Sequence, residues 1–420
     1  MSPMSRSTLT RVSLFVLALP VLALLLYQLP PVKTRLDWRV DVALTYLRNV
    51  MDPAGEMPTP LPQPALAITY HPTASPTAGE AAETPTPTTG PTPTSSPSPT
   101  PLPRSVDLGA PEWEKQTPNN CGPATLSLYL KTFGWDGDQE DISSLLKPQT
   151  DDRNVNVEEL VYFVRTQAGW LNAEFRVGGD IELLKRFLAA GLPVVIEEGM
   201  RLDSDYWPDD DRWAGHYLLL TGYDDQAQAF TAQDTFVGPD RTVPYQSVEE
   251  NWQAFNYVYI LLFRPEQAGT VQAILGADWD PDTNRQRALE KAQQQTEKRP
   301  DNAFAWFNLG SNLVYFERYN EAARAYDTAR QLGLPQRMLR YQFGPFFAYF
   351  FSGRNEDLLA VVEYALQRTP NSEEALLWRG WGKYRAGDRS GALADFQAAL
   401  DENPNYQDAQ YALDFVYTNP

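Results

Sequence analysis

The sequence predicts an α+β globular region followed by an all-α solenoid, with an apolar helix near the N-terminus. Helical patterns precede strand patterns between residues 106 and 265, and residues 282–420 contain a repeat. An uncharged apolar run lies close to the start of the chain. With 420 residues, of which 43% are hydrophobic and 12% aromatic, the chain can form sizeable cores in both regions.

Charge and cysteine content exclude several classes of function. The chain has 54 acidic and 35 basic residues, a net charge of −19. Because no basic stripe is present to neutralise phosphates, a nucleic-acid partner is excluded. Cys121 is the only cysteine and there are two histidines, which exclude an intramolecular disulfide and argue against a Cys/His zinc site. No cofactor is expected.

The N-terminal segment is predicted to anchor the chain in a membrane. After a tail at residues 1–11, residues 12–29 form an apolar run whose helix would be about 27 Å long, enough to span a bilayer core. A cleaved signal peptide is the alternative, but no small-x-small site follows the run. Basic residues flank both ends, so they do not fix the orientation. We predict a single-pass protein of the cell membrane with an extracytoplasmic globular part.

Two segments connect this anchor to the globular part. Residues 30–52 place apolar residues at helical spacing and predict a juxtamembrane helix. Residues 53–105 are rich in Pro, Thr and Ser, have too little apolar surface to form a core, and favour extended polyproline conformations. The segment is therefore predicted to be a disordered linker that acts as a stalk.

Residues 106–265 are predicted to form an antiparallel sheet packed against a helical layer, because helices dominate the first half and strands the second. Apolar periodicity and capping residues predict helices at 122–133, 156–168 and 180–190. Strands are predicted at 174–177, 193–197, 216–223, 229–234 and 257–264. The acidic stretch 203–211 is expected to be a solvated loop, although it could line a cleft and favour cationic substrates.

Cys121 lies where the first of these helices begins. Asn119 and Asn120 precede it, and Pro123 occupies an early helical position. The unpaired N–H groups of a first helical turn stabilise a thiolate and so favour a nucleophile at this position. A packed small residue is the structural alternative.

A histidine, an acid and a glutamine complete a candidate relay. Because His71 lies in the linker, His216 is the histidine expected in a folded domain. His216 opens a predicted strand and Asp234 ends the next one, so a hairpin would bring them together. Cys121 would attack, His216 would act as base and then acid, and Asp234 would fix the tautomer. Gln116 would donate to the oxyanion beside the Cys121 backbone N–H. A strand histidine and an ordinary turn acid are the structural alternatives.

These motifs resemble the C39-like branch of the papain-fold cysteine peptidases, over about residues 110–264. The matching patterns are Gln-x4-Cys-Gly-Pro-Ala, Gly-His-x5-Gly-Tyr-Asp-Asp and a strand that ends in Asp. The resemblance assigns the nucleophile to Cys121, the base to His216, the orienting acid to Asp234 and the oxyanion glutamine to Gln116. Family members often carry Asp-Pro where this chain has Asp234-Thr235. Some relatives cleave leader peptides while fused to an ABC exporter, but this chain has no Walker A pattern.

Residues 282–420 resemble a tetratricopeptide array. Ala288, Ala322, Leu358 and Ala392 recur at spacings of 34, 36 and 34 residues, which indicates a leading half-unit, three helix pairs and a closing helix. Leu358 and Phe346 replace the expected Ala and Gly in the middle unit, so its hairpin is predicted to be distorted. The resemblance implies a stacked solenoid that binds a peptide or a partner protein. A stabilising cap on the preceding domain is the alternative.

The combined prediction is a membrane-anchored thiol peptidase. It would hydrolyse peptide bonds through a thioester intermediate, and its repeats would bind a substrate or partner. Two alternatives remain open: acyl transfer by the same residues, as in transglutaminases, and a non-catalytic peptide-binding protein with a peptidase-like fold.

Overall fold

The protein is represented by a computed structural model that describes residues 27, 29–53, 55–62, 101–147, 149 and 154–419. The predicted anchor at residues 12–29 lies outside this part, apart from residues 27 and 29. The first described helix, α1 (Pro30–Met51), lies within the segment 30–52 for which apolar spacing predicts a helix.

The predicted membrane localisation needs correction. In the part of the chain that the structure describes, no helix is both long and apolar enough to cross a bilayer. Helix α1 has 22 residues, but its sequence contains Lys33, Arg35, Asp37, Arg39, Asp41 and Arg48. Ionised side chains in the hydrocarbon core are costly, so α1 is not a membrane span. The prediction of a single-pass cell-membrane protein is therefore withdrawn.

The described residues contain one antiparallel sheet of seven strands. The strands are β1 (Ser105–Asp107), β2 (Asn172–Arg176), β3 (Val194–Arg201), β4 (Trp213–Asp224), β5 (Ala229–Asp234), β6 (Gly238–Pro244) and β7 (Tyr259–Phe263). Their order is β2-β7-β3-β4-β5-β6, and β1 pairs with β4. The predicted mixed fold with an antiparallel sheet is confirmed, and β4 is the central strand that carries the candidate histidine.

Both faces of the sheet are covered by helices, which explains why β4 has a continuous apolar run instead of alternating polarity. Tyr217 and Leu219 pack in one core, and Leu218 and Leu220 pack in the other. The covering helices are α2 (Cys121–Lys131), α3 (Gln139–Leu146), α4 (Val157–Gln167), α5 (Ile181–Ala189), α6 (Tyr245–Trp252) and α7 (Ala268–Leu275). Strands β1 and β6 and helices α3, α6 and α7 were not predicted, and each of the three helices has only 8 residues.

The C-terminal region is helical. Its helices are α8 (Pro281–Lys298), α9 (Ala303–Tyr315), α10 (Tyr319–Leu332), α11 (Met338–Tyr341), α12 (Gly344–Phe351), α13 (Asn355–Arg368), α14 (Glu373–Arg385), α15 (Arg389–Glu402) and α16 (Gln407–Thr418). Gly310 on α9 faces Tyr326 on α10, where an added Cβ would lie 2.7 Å from the ring. Gly380 on α14 faces Phe396 on α15 in the same way, at 2.3 Å. These glycines allow the two helices of a pair to pack closely.

The middle pair, α12 and α13, is the irregular one. Helix α12 has 8 residues, whereas α9 and α14 each have 13, and the short helix α11 precedes it. Phe346 stands at the position of Gly310 and Gly380, and Val362 stands at the position of their large partners. Both Phe346 and Val362 are fully buried in the helical core. In this pair the large residue, Phe346, lies on the first helix and the smaller one, Val362, on the second, the reverse of the other two pairs.

The acidic stretch 203–211 connects the sheet region to the helical region, so the expectation of a solvated loop is wrong for part of it. Arg337 donates two hydrogen bonds to Asp210, at 2.5 and 2.6 Å, and both side chains are almost completely buried. The Trp207 indole donates to Gln336 at 2.6 Å, and Arg337 stacks on its ring at 4.0 Å. The stretch is held by the buried ion pair between Asp210 and Arg337, which are 127 residues apart in sequence.

Both ends of the predicted linker 53–105 contact the folded regions. The Pro58 carbonyl accepts a hydrogen bond from Arg330 at 3.1 Å. The Pro103 carbonyl accepts one from the Tyr223 hydroxyl at 2.7 Å. Residues 105–107 form strand β1. The prediction of a linker that is disordered from 53 to 105 therefore does not hold at its two ends.

Candidate active site

Cys121 is the first residue of helix α2 and is half-buried. Asn119 adopts a left-handed backbone conformation with φ of 60°, which asparagine tolerates better than most residues. Gln139 braces this loop from α3, because its Oε1 accepts from the Thr117 backbone N–H at 2.7 Å and from the Asn120 side chain at 3.0 Å. The backbone before the thiol is thereby fixed by a residue that the sequence analysis did not identify.

His216 lies beside the thiol and is held by Asp234. Its Nε2 is 2.9 Å from Asp234 Oδ1, and the ring is buried. The Cys121 side chain is the other group, besides Asp234, that raises the pKa of this ring. In the β4–β5 hairpin, Leu219 pairs with Gln233, which brings Asp234 to the end of the ladder nearest His216. Three elements distant in sequence thus bring the predicted thiol, imidazole and carboxylate together.

Asp234 is a fully engaged acceptor. Its Oδ1 also accepts from the backbone N–H groups of Phe236 and Val237, at 2.8 and 3.0 Å. Its Oδ2 accepts from Arg241 at 2.6 Å. Burial raises the pKa of Asp234, but the hydrogen bond and charge of His216 outweigh burial and hold this pKa well below its usual range. The carboxylate is ionised at neutral pH and fixed in orientation.

The same neighbours determine the charge of the imidazole. Burial lowers the pKa of His216, but hydrogen bonds to Asp234 and Cys121, with their charges, more than compensate and raise it to about 10. The ring is therefore an imidazolium at neutral pH. An imidazolium can donate a proton to the leaving group of an acyl transfer.

Gln116 is oriented by the residue that follows Asp234. The Thr235 hydroxyl donates to Gln116 Oε1 at 3.0 Å, and the Gln116 backbone N–H donates to the Thr235 carbonyl at 2.9 Å. With Oε1 engaged, Nε2 is the end of the amide that can serve as a donor. Thr235 stands where the resemblance predicts proline, and proline has no hydroxyl to hold the glutamine. Trp113 supports the same loop, because its indole donates to the Asp234 carbonyl at 3.1 Å.

A small cleft opens at the thiol. Its lining residues come from both regions of the protein and are Asn119, Cys121, Gly122, Asn154, Val155, Glu197, Gly215, Tyr217 and Tyr341. Tyr341 belongs to α11 and contacts Trp213 edge-on, with ring centroids 5.8 Å apart. A Cβ on Gly215 would lie 3.2 Å from the Tyr341 ring and 2.8 Å from Phe255. The acidic stretch 203–211 does not line the cleft.

Two adjacent glutamates on β3 were missed by the sequence analysis. Glu198 pairs with His216 in the β3–β4 ladder and is 4% exposed. Burial raises its pKa to about 7, against the opposing effects of His216 and Arg241. Burial, followed by the charge of Cys121, raises the pKa of Glu197 well above its usual range. The signal that could have revealed them is a pair of carboxylates inside a predicted apolar strand.

The residues of the site are those of acyl-transfer chemistry. Among the described residues, no group of three or more His, Cys, Asp or Glu could hold a metal ion. A thiol, an imidazolium and an engaged carboxylate in contact are the groups that nucleophilic attack on a carbonyl requires.

Comparison with known proteins supports the peptidase-like fold of the sheet region. Residues 110–260 match the model of the Peptidase_C39 like family. This stretch contains Gln116, Cys121, His216 and Asp234. No curated protein matches the chain.

Solved structures resemble different parts of the chain. A C39-like peptidase from Bacillus anthracis is 19% identical, covers 38% of this chain and 98% of its own, and has a TM-score of 0.30. Xylellain, a cysteine protease from Xylella fastidiosa, is 16% identical and covers 39% and 87%, with a TM-score of 0.30. YrrB, a TPR protein with an unusual peptide-binding site, is 20% identical and covers 41% and 81%, with a TM-score of 0.29.

Proposed function

We propose that this protein is a cysteine peptidase that hydrolyses peptide bonds through a Cys121–His216–Asp234 triad. The observation that carries the proposal is the position of the His216 ring, which lies 2.9 Å from a buried, fully engaged carboxylate and whose pKa is also raised by the Cys121 side chain. The match of residues 110–260 to a peptidase family supports it independently. A structural histidine would not require both a nucleophile and an oriented acid.

In the proposed reaction the Cys121 thiolate attacks the carbonyl carbon of the scissile bond. The His216 imidazolium gives its proton to the departing amine, leaving a thioester on Cys121. Neutral His216 then takes a proton from water, which attacks the thioester and releases the carboxylic acid and the Cys121 thiolate, so the thiolate and the imidazolium are restored. Asp234 keeps the ring oriented, and Gln116 Nε2 donates to the oxyanion in both steps.

The proposed domains are a peptidase domain at residues 106–265 and a tetratricopeptide array at residues 282–420. The array is supported by the paired helices α9–α10 and α14–α15, with closely packed glycines at matching positions. Tyr341 lines the cleft at Cys121, so we propose that the array also helps to bind the substrate peptide. The predicted substrate is an extended peptide that lies across the cleft between the two domains.

The test uses the single cysteine of the chain. An electrophilic thiol probe added to the full-length protein at pH 7 reports on Cys121 alone, because no other cysteine is present. We expect stoichiometric labelling and loss of hydrolysis of a peptide library, with no hydrolysis by Cys121→Ala. Rapid labelling without any cleavage would contradict hydrolysis, and labelling no faster than that of a free thiol would contradict an activated nucleophile.

A further inference from the structure

The described N-terminal segment Gly55–Leu61 lies on a surface of the helical region that contains buried charged groups. This surface, the α10–α13 groove, is formed by Arg330 on α10 and by Asp357 and Arg368 on α13. The three side chains are only 6%, 2% and 5% exposed. Buried charges are costly unless they are paired or hydrogen-bonded, so the partners of this groove are informative.

Some of these partners are other side chains of the helical region. Arg330 Nη1 donates to the Tyr349 hydroxyl at 2.8 Å and to Asp357 Oδ1 at 3.4 Å. Arg354 donates to Asp357 Oδ2 at 2.8 Å. Arg368 stacks on Trp207 at 5.2 Å, which connects the groove to the interface with the sheet region.

The remaining partners are backbone groups of the segment Gly55–Leu61. Arg330 donates to the Pro58 carbonyl through both Nε and Nη2. Arg368 donates to the Gly55 carbonyl at 3.1 Å, and Asp357 accepts the Leu61 backbone N–H at 3.1 Å. The contacted backbone groups are spaced three residues apart. This is the repeat of a polyproline II helix, in which every third residue faces the same side.

Side chains of the segment add a second element of recognition. Met57 is half-buried and packs against the core of the helical region, whereas Thr59 is exposed. Pro58 and Pro60 are half-buried beside the charged contacts. Proline reduces the conformational freedom that an extended segment loses on binding. The groove therefore binds the backbone of a proline-containing segment through hydrogen bonds and one apolar side chain through packing.

We propose that the α10–α13 groove is a binding site for extended proline-containing peptides, and that Gly55–Leu61 occupies it as an intramolecular ligand. The segment competes with any such peptide supplied by another molecule. The groove is separate from Cys121, and the proposal does not depend on the proposed peptidase activity.

The chain itself supplies a matched control peptide. Residues 55–62 read GEMPTPLP and residues 82–89 read AETPTPTT. Both contain Glu-x-Pro-Thr-Pro, but the second has threonine in place of Met57, Leu61 and Pro62 and alanine in place of Gly55. A comparison of the two peptides separates recognition of the proline backbone from recognition of the apolar side chains.

The experiment measures binding of fluorescent peptide 55–62 to full-length chains by anisotropy. Met57→Asp places a carboxylate against the apolar core and should vacate the groove, so this chain should bind the peptide at least about tenfold more tightly than wild type. Thr59→Asp adds the same charge at an exposed position and should bind as wild type does. Peptide 82–89 should bind the Met57→Asp chain at least about tenfold more weakly than peptide 55–62.

Equal binding by the three chains, or no binding by the Met57→Asp chain, would overturn the proposal. Hydrogen exchange provides a second measurement on the folded proteins. The Leu61 amide should exchange more slowly in wild type and Thr59→Asp than in Met57→Asp, and equal rates would also refute occupancy of the groove. The Cys121→Ala chain should give the wild-type peptide affinity and Leu61 exchange rate, because binding in the groove does not depend on the proposed peptidase activity.

Discussion

The sheet region and the helical region both bury charged side chains, but they use them differently. In the sheet region, Asp234 binds His216, Glu198 pairs with His216 in the ladder, and a half-buried thiol opens on a cleft. In the helical region, buried charges such as Arg330 and Asp357 pair with each other and with backbone groups of another segment. The first arrangement leaves a reactive atom accessible, whereas the second satisfies its charged groups within the fold.

This difference indicates which kind of damage a substitution should cause. Charges around Cys121 should affect the reaction more than the free energy of unfolding, since they are placed to act on a substrate. Charges in the helical region and at its interface should affect stability and docking more than chemistry. Tyr341 tests the boundary, because it belongs to the helical region and lines the cleft.

The largest effect is expected from Asp234→Asn. The asparagine removes the negative charge that helps to raise the pKa of His216, so less imidazolium should be present to protonate the leaving amine, and kcat should fall by about 10⁴-fold. Steady-state hydrolysis measures this loss, and the control is Asp240→Asn in the same hairpin, where Asp240 is exposed. A loss below tenfold for Asp234→Asn would mean that Asp234 has only a structural role.

The interface ion pair should produce the largest effect on stability. Arg337→Ala leaves Asp210 buried without its guanidinium partner, which should lower the free energy of unfolding by about 3–5 kcal/mol. Urea denaturation measures it. The double variant Arg337→Met with Asp210→Asn should recover much of this loss, because no unpaired charge remains. A large loss of kcat for Arg337→Ala without a loss of stability would contradict the proposal that charges at this interface act on stability and not on the reaction.

Gln116→Ala should remove one oxyanion donor. We expect kcat to fall by about 10²- to 10³-fold, or about 2.7–4 kcal/mol, with little change in KM. Thr235→Val keeps the amide but removes the hydroxyl that orients it, so it should have a smaller effect in the same direction. An unchanged kcat for Gln116→Ala would exclude the glutamine from the oxyanion site.

Glu198 should make stability depend on pH. Its folded pKa of about 7 is higher than that of an unfolded glutamate, so the folded state binds the proton more tightly. Its contribution to stability is present below the unfolded pKa and is lost as pH rises through about 7, by about 3 kcal/mol in all.

Glu198→Gln cannot ionise at this position and so lacks this loss. The free energy of unfolding of the variant minus that of the wild type should therefore increase from pH 4 to pH 8. Glu266→Gln, at an exposed glutamate, is the control for urea denaturation across this range. A difference that stays constant with pH would contradict the shifted pKa of Glu198.

The smallest effect is expected from Tyr341→Ala. The ring lines the cleft but does not contact the triad, so KM should increase about tenfold while kcat stays within about threefold. Tyr341→Phe should retain the wild-type KM, because the predicted contribution is the ring. Tyr411→Ala, at an exposed tyrosine on α16, is the control. A selective loss of kcat would place Tyr341 in the chemistry.

Much of the local structure could be predicted because it depends on neighbouring residues. Helix α5 and strand β5 lie within one residue of their predicted bounds, since caps and apolar periodicity define them. The site residues Cys121 and His216 could be proposed because the chain has so few cysteines and histidines. The irregular middle helix pair followed from Phe346 at a position where its neighbours have glycine.

The membrane prediction and the stalk show the limits of composition. Apolar and proline-rich runs indicate conformational preference, but they carry no information on which distant surface a segment contacts. Composition predicts that residues 55–62 belong to a linker. In the structure, Arg330 donates a hydrogen bond to the carbonyl of Pro58, which is 272 residues away in sequence. The acidic stretch was predicted to be solvated because Arg337, which pairs with Asp210, is distant in sequence.

The sequence by itself predicted Cys121, His216 and Asp234 as site residues, the mixed helix-and-sheet class of the first region, and the repeat of the C-terminal region. These follow from residue scarcity and local periodicity. Only the tertiary structure decided that Glu198 lies opposite His216, that Tyr341 reaches the cleft, and that Gly55–Leu61 lies on the α10–α13 groove. Those contacts join residues that are distant in sequence, and their formation depends on how the sheet and the helix pairs pack together.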